Sequence, residues 1–201
     1  MNCIQRLLSA SLFFALQLSL SAQVPHGGEP HWNTPGTNMG NPAWPVHRMP
    51  AIDLEALRAG DAVTDLVKSA PWRFGQEFDV DISLADGVWL EIEDTPVWRT
   101  QIQAPGALAV SLRFSEFALP KGARMFIWSA DRLEFIGGFN HLNMKDWGGL
   151  ATGLVAGDAV VVEVQVPAGL EDAVALRIDQ VVHAYRDIAG KAALALSLIH
   201  I

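Results

Sequence analysis

The stretch Leu108-Ala-Val-Ser-Leu-Arg-Phe-Ser115 decides the fold class of this chain. Its apolar residues Leu108, Val110, Leu112 and Phe114 alternate with small or charged ones. Successive side chains of a β-strand point to opposite faces, so a period of two predicts a strand with one buried face.

The same alternation occurs in other parts of the chain and predicts more strands. It is clearest at Val160 to Val166, where Val161, Glu163 and Gln165 occupy the other face, and at Val174 to Ile178. Shorter stretches are 88–92, 97–102, 124–128 and 133–136, and turn signals between the strands include Asp86-Gly87, Pro105-Gly106, Pro120-Lys121-Gly122, Gly137-Gly138, Gly157-Asp158 and Pro167-Ala168-Gly169. We therefore expect an all-β domain, an antiparallel β-sandwich or jelly roll, over residues 72–187.

The composition excludes several classes of protein. The chain has 201 residues, 50% hydrophobic and 18% charged, with one cysteine and a net charge of -8. Long disordered proteins have a lower hydrophobic content and a higher charge density, and disulfide scaffolds have many cysteines. Because acidic residues outnumber basic ones by 22 to 14, we expect no nucleic acid partner.

Residues 1–22 have the pattern of a secretory signal peptide. Arg6 precedes the mostly apolar run Leu7 to Leu20, and cleavage is expected after Ser21 or Ala22. A membrane anchor is the alternative, but a span needs about 20 apolar residues and this run is shorter. The prediction is a secreted protein that does not associate with a membrane after the signal, including Cys3, is removed.

The next two segments lead into the predicted domain. Six prolines and four glycines between residues 23 and 50 predict a flexible arm without regular structure, from which Trp32 and Trp44 pack against the domain. Its three histidines lack the spacing of a metal site, so we expect no cofactor. Residues 51–71 predict one or two short helical turns capped by Asp53, with an apolar side of Leu54, Leu57, Val63, Leu66 and Val67.

Candidate chemical groups within residues 72–187 are few. Ser129, His141 and Asp146 form a hydrolase triad only on paper, because no serine lies in a nucleophile motif. We therefore expect no catalytic residues in this chain. Two acidic sets are candidate calcium ligands, but their spacing favours solvated rows on strands: Asp79, Asp81 and Asp86, and Glu91, Glu93 and Asp94.

Seven tryptophans are many for this length. An exposed row would stack on sugar rings, whereas core packing is the interpretation favoured for the domain's Trp72, Trp89, Trp98, Trp128 and Trp147. A polysaccharide partner is thus the less favoured alternative.

Short motifs follow one another in order along residues 27–187. They are Gly27-Gly28-Glu29-Pro30, Met49-Pro50-Ala51-Ile52-Asp53, Trp72-Arg73-Phe74-Gly75, Gly87-Val88-Trp89, Val97-Trp98-Arg99, Pro105-Gly106-Ala107, Phe114 to Phe117, Leu119-Pro120-Lys121-Gly122-Ala123, Phe126-Ile127-Trp128, Gly137-Gly138-Phe139-Asn140, Gly157-Asp158, Val162-Glu163-Val164 and His183-Ala184-Tyr185-Arg186. Their order and spacing resemble the pro-region of bacterial secreted trypsin-like serine endopeptidases, the lysyl endopeptidase group.

The resemblance implies that a peptidase domain with a histidine, aspartate and serine triad follows the Tyr185-Arg186 motif. Residues 188–201 contain no triad position and do not resemble that continuation, so we interpret them as a truncated or non-native tail. The implied function is that of a pro-domain, which assists folding of its peptidase in cis or inhibits it, with processing near Arg186 or Lys191. The alternative is a secreted carbohydrate-binding or adhesion module.

Overall fold

The computed structural model describes residues 26–32, 43–67, 69 and 71–187. These residues form two sheets around a shared core, preceded by one α-helix. The prediction of an all-β sandwich with a short N-terminal helix is confirmed. The strands are β1 (Val46–Arg48), β2 (Gly75–Ser83), β3 (Val88–Ile92), β4 (Thr95–Gln103), β5 (Ala109–Ala118), β6 (Arg124–Ser129), β7 (Phe135–Phe139), β8 (Leu150–Ala151), β9 (Val155–Ala156), β10 (Ala159–Gln165) and β11 (Ala175–Ala184), and the helix is α1 (Leu54–Thr64).

Sheet 1 has the strand order β1-β4-β10-β6-β7, and β3 also pairs with β4. The β1 and β4 strands run parallel, and the other neighbours in this sheet are antiparallel. Sheet 2 has the order β2-β11-β5-β8, with β9 also pairing with β5, and all of these pairs are antiparallel.

The main core lies between the two sheets. In sheet 2, the alternate residues Val110, Leu112 and Phe114 of β5 are buried in this core. Burial of such side chains is the main stabilising contribution to a domain without disulfides. Residues of both sheets meet in this core, including Trp98, Ile102, Ile127, Val162 and Val164 from sheet 1 and Leu112, Phe114, Phe117, Ile178 and Val181 from sheet 2.

The outer face of sheet 1 is also buried, which the sequence analysis did not predict. Every residue of β10 from Ala159 to Val164 is buried, including Glu163. On this face Phe126, Trp128 and Val161 form a second apolar cluster with Trp44, and Trp32 packs against this cluster. The prediction of a half-buried β10 is therefore wrong, because residues 26–32 and Trp44 cover its second face.

A buried ion pair lies beneath these covering residues. Arg99 of β4 and Glu163 of β10 approach within 2.8 Å, and both side chains are almost completely buried. The Glu163 carboxylate accepts further hydrogen bonds from the backbone N–H of His31 at 2.7 Å and the side chain of Gln165 at 2.8 Å. The guanidinium of Arg99 donates to the carbonyl of His31 and lies 5.0 Å from the Trp44 ring centre.

The prediction of an arm without regular structure needs a correction within residues 43–50. Val46–Arg48 forms β1, whose register places Val46 opposite Gln101. The expected packing of Trp44 is confirmed, since it is buried and its indole N–H donates to Gln101. Prolines lie on both sides of this short strand. Its three residues are enough to pair in parallel with β4.

Helix α1 is longer and less apolar in its contacts than predicted. Asp53 caps it by accepting from the Ala56 N–H at 2.9 Å, as expected. It continues through Gly60 for eleven residues. Val63, Leu66 and Val67 are exposed, so the predicted apolar side packs only at its beginning.

Three predicted strand features differ in detail. Leu108 precedes β5 and is exposed, whereas the pattern placed it in the core. Leu133 lies in the turn that joins β6 to β7, because Arg132 adopts a positive φ of 62° and the chain reverses there. Glu93 and Asp94 also have positive φ and form the two-residue turn between β3 and β4, so Glu93 does not share a strand face with Glu91.

Within the residues described, the structure contains no helix long and apolar enough to span a bilayer. The predicted signal peptide at 1–22, with Ser21 and Ala22, lies outside these residues.

The core arrangement predicts a contrast between two leucines. Leu112→Ala should lower the free energy of unfolding by about 2 to 5 kcal/mol, because Leu112 is buried between the sheets and alanine leaves a cavity. Leu133→Ala, at a position that is 84% exposed, is the control and should have little effect. Urea melts of the purified chain followed by far-UV circular dichroism test this, and equal midpoints for the two variants would contradict the core described here.

Candidate functional site

The end of β11 is fastened to α1 by a set of polar contacts that we call the β11 anchor, consisting of Asp61, Asp65, Arg73, Tyr185 and Arg186. Tyr185 and Arg186 directly follow β11, and their backbone N–H groups both donate to the carbonyl of Phe74. The anchor therefore fixes where the chain leaves the sandwich.

Asp61 is the central group of the anchor. Its carboxylate is buried and accepts from the Arg73 guanidinium at 2.9 Å and from the Tyr185 hydroxyl at 2.8 Å. Arg186 lies 3.5 Å from the same carboxylate. Because a buried charge is stable only when paired and hydrogen-bonded, these three partners explain how a carboxylate occupies the helix face that meets the sandwich.

The pKa values of the pair follow from this geometry. Burial by itself raises the pKa of Asp61. The hydrogen bonds from Tyr185 and Arg73 and the charges of Arg73 and Arg186 lower it by more, so the pKa lies below its ordinary value. Burial, together with the hydrogen bond to Asp61, raises the pKa of Tyr185. At neutral pH the contact therefore joins a phenol donor and a charged carboxylate acceptor.

Arg186, a predicted processing residue, is held on three sides. Its guanidinium forms an ion pair of 2.6 Å with Asp65, approaches Asp61, and lies 4.5 Å from the ring centre of Trp72. A trypsin-like protease that cleaves after Arg186 must first withdraw this side chain into its own specificity pocket. Lys191, the other basic candidate, lies outside the described residues.

Next to Asp65 lies an apolar surface that we call the helix-end patch, consisting of Val63, Leu66 and Val67. All three side chains are exposed, and Leu66 is 85% exposed. Clustered exposed apolar side chains on a soluble domain mark interaction sites more often than isolated ones do. The patch adjoins the anchor, since Asp65 separates two of its members in sequence.

The Ser129, His141 and Asp146 candidates are placed in separate local structures. The Ser129 hydroxyl donates to Asp131 at 2.5 Å within the turn between β6 and β7. His141 lies in a short 3-10 turn capped by Asn140, and Nδ1 of its ring has no hydrogen-bond partner within the described residues. The described residues thus show no hydrogen-bonded relay among the three.

Two of the six acidic candidates, Asp81 and Asp86, have local partners. Asp86 accepts from the backbone N–H and hydroxyl of Ser83 as part of a capping box, and Asp81 pairs with Arg177. Among the described residues, no group of three histidine, cysteine or acidic side chains is arranged to hold a metal ion.

Three of the seven tryptophans are buried, namely Trp44, Trp98 and Trp128, and Trp32, Trp72 and Trp89 are partly buried. Trp98 and Trp128 are fully buried, and the Trp98 indole N–H donates to the Leu84 carbonyl at 3.0 Å. For Trp147 the prediction of core packing is wrong, because 77% of this residue is exposed. The described residues therefore place one tryptophan on the surface in this manner rather than a row of them.

Asp61 and Asp65 were not predicted as functional residues from the sequence. Asp61 and Tyr185 are 124 positions apart, so no local pattern connects them. The available signal was indirect: an acidic residue on the otherwise apolar side of a capped helix needs a cationic or hydroxyl partner.

Comparisons with known proteins add little. No protein-family model matches the chain. Among solved structures, the chain is similar to isomalto-dextranase from Arthrobacter globiformis T6 complexed with panose, with 16% identity and a TM-score of 0.25 over 43% of this chain. The match spans 16% of that structure's length, and a TM-score this low supports no conclusion about fold or ligand.

The anchor predicts that Tyr185→Phe destabilises the protein at neutral pH. Loss of a hydrogen bond to a buried charged group should lower the free energy of unfolding by about 1.5 to 3 kcal/mol. Folding lowers the pKa of Asp61, so the charged carboxylate stabilises the folded protein above the ordinary pKa of an aspartate. This stabilisation is lost as the pH falls below about 4. Urea melts at pH 7 and pH 3 test this; a defect of equal size at both values would contradict the role of the Asp61 charge.

His183, in the same motif, predicts a separate pH dependence. It is fully buried, and neither ring nitrogen has a hydrogen-bond partner within the described residues. Burial lowers its pKa, so the unfolded chain binds a proton more readily and stability should decline as the pH falls below about 6.5.

Replacing His183 by leucine should reduce the loss of stability between pH 7 and pH 5, because leucine cannot be protonated. His26→Gln, at a partly exposed position, is the control and should leave the pH dependence unchanged. Melting midpoints measured across this range decide the matter. An unaltered slope in His183→Leu would show that other groups cause the pH dependence.

Proposed function

We propose that this chain is the N-terminal pro-domain of a secreted serine endopeptidase and acts by binding the peptidase domain that follows it. The proposal starts from the ordered motifs of residues 27–187. The observation that carries it furthest is the position of the helix-end patch beside the β11 anchor.

The anchor supports this function because it sets the point from which a following domain would be tethered. Backbone bonds from Tyr185 and Arg186 to Phe74 hold the chain at the end of β11. A domain attached a few residues later is present at high effective concentration near Val63, Leu66 and Val67. Even a modest apolar contact would then be occupied.

Binding explains both activities implied by the resemblance. A surface that binds the native or near-native peptidase lowers the free energy of that state, which assists folding. The same complex keeps the peptidase inactive when it blocks substrate access. Release then requires cleavage of the connection, with Arg186 and Lys191 as candidate sites and Ser21 or Ala22 as the candidate site for earlier signal removal.

The placement of Arg186 suggests an order of events. Its contacts with Asp65, Asp61 and Trp72 protect it while the anchor is intact. Proteases cleave exposed and mobile connections fastest. Cleavage after Arg186 would therefore follow opening of the anchor, whereas cleavage further along would not require it.

A second candidate function is a secreted carbohydrate-binding or adhesion module. The exposure of Trp147 favours it, because an exposed indole on a β-sandwich surface is suited to stacking on sugar rings. This candidate does not require a peptidase to follow.

The gene itself provides the first test. The proposal expects an in-frame serine endopeptidase domain after the codon for Lys191, and a stop codon there would contradict it. Expression of the complete precursor and sequencing of the mature peptidase then locate the processing site. A mature terminus upstream of residue 170 would show that the pro-domain boundary is wrong.

A pair of leucine variants tests the docking surface in that precursor. Leu66→Asp should reduce the yield of active peptidase by about tenfold or more, the effect expected for loss of an interface anchor. Leu133→Asp is the matched control, since Leu133 is as exposed as Leu66 but lies in the β6–β7 turn. Equal yields, with equal melting midpoints of the two pro-domains, would contradict docking at the helix-end patch.

A further inference from the structure

A surface cleft of about 430 Å³ lies beside Trp147, on sheet 2. Arg113 and Ser115 of β5 form one side, and Lys145, Trp147 and the backbone of Gly149 form the other. We call this the Trp147 cleft. The residues that line it include no carboxylate.

Trp147 is held in place although it is exposed. The N–H of Gly148 donates to the Lys145 carbonyl at 2.8 Å, which closes a turn around Trp147. The Gly148 carbonyl accepts from the N–H of Phe117 at 2.7 Å, which fastens the turn to β5. The indole lies against Gly149, where an added Cβ would be 3.3 Å from the ring. A fixed indole loses little conformational entropy when a ligand stacks on it.

A β-bulge shapes the opposite side of the cleft. Ser115 and Glu116 are consecutive and both exposed, between buried Phe114 and Phe117. The pairing of β5 with β11 shifts register at this point. Bulges occur near binding sites because they change the direction of side chains, and this one lies in the wall that carries Ser115.

Of the two cations at the cleft, Arg113 is neutralised by an acidic partner and Lys145 is not. Both line the cleft of a protein with a net charge of -8. Arg113 is held by a two-pronged contact with Asp179, with N–O distances of 3.0 and 2.7 Å. The side-chain ammonium of Lys145 makes no ion pair or hydrogen bond within the described residues, so its charge is available to a ligand.

We propose that the Trp147 cleft binds an acidic saccharide, such as a segment of a uronic acid polymer. The apolar face of a pyranose ring stacks on the indole of Trp147, the sugar carboxylate pairs with Lys145, and Ser115 supplies a hydroxyl partner. The cleft volume suits one or two sugar rings. This proposal rests on the second candidate function, carbohydrate binding, and its failure would leave the pro-domain function untouched.

Calorimetric titration of the purified chain with tetragalacturonate tests the proposal, with the fully methyl-esterified tetramer as the matched uncharged ligand. The expected dissociation constant for the acid is about 1 mM or lower, and the ester should bind several-fold more weakly. Trp147→Ala should weaken binding of both ligands by about tenfold, the effect of losing a stacked ring. Lys145→Gln should weaken only the acid.

Lys121→Gln is the control, because Lys121 is an exposed lysine of the β5–β6 connection away from the cleft residues. It should change neither affinity. Absence of saturable binding of the acid, or binding that Trp147→Ala leaves intact, would overturn the proposal. So would protection of Trp147 from collisional quenching by the peptidase domain in the complete precursor, because a protein would then be the occupant. Circular dichroism melts of each variant confirm that the fold is unchanged.

Discussion

The buried pair of Arg99 and Glu163 is the interaction on which the arrangement of this protein depends. It joins the two central strands of sheet 1 on the face that points away from the main core. An ion pair transferred out of water is tolerated only when its remaining hydrogen-bonding capacity is satisfied. Here the backbone of His31, the Gln165 amide and the Trp128 indole complete the carboxylate. The segment around His31 is thus part of the fold. Without it, Glu163 would lose the hydrogen bond from the His31 N–H, Arg99 would lose the His31 carbonyl, and the ion pair would be exposed to solvent.

Several glycines lie where two segments of the chain approach closely. The arm segment runs so close to β7 that a Cβ on Gly138 would lie 2.4 Å from the carbonyl oxygen of Gly27. An added Cβ would lie 2.3 Å from the Trp98 ring at Gly87, and 2.9 Å from a backbone atom of β11 at Gly75. Motifs that are far apart in the sequence therefore contact each other in space: the arm with β7, the β2–β3 turn with β4, and the start of β2 with the end of β11.

The sequence predicted several strands from their two-residue alternation, although it gave no boundaries for β2. The predicted 88–92 coincides with β3, and the stretches 97–102 and 124–128 lie within β4 and β6. Burial on a second face was not predictable in this way, because the contact that covers Glu163 spans 132 positions. The turn at Glu93 and Asp94 lacks the glycine or asparagine that usually announces two positive φ values. The strand β1 has too few residues to show a period. At the β11 anchor, Arg186 was identified as a candidate cleavage residue, but its acidic partners on α1 were not.

The two surfaces proposed for binding differ in a way that follows from how each is supported. The end of helix α1 is held to the sandwich through Asp61 rather than through apolar residues, so the side chains of Val63, Leu66 and Val67 remain exposed. Their position depends on the anchor, and anything that opens the anchor also moves the patch. Trp147 is instead fastened to β5 by backbone hydrogen bonds within sheet 2. A ligand at the Trp147 cleft is linked to the middle of β11 through Arg113 and its partner Asp179, whereas a partner at the helix-end patch adjoins Asp65, which pairs with Arg186 itself.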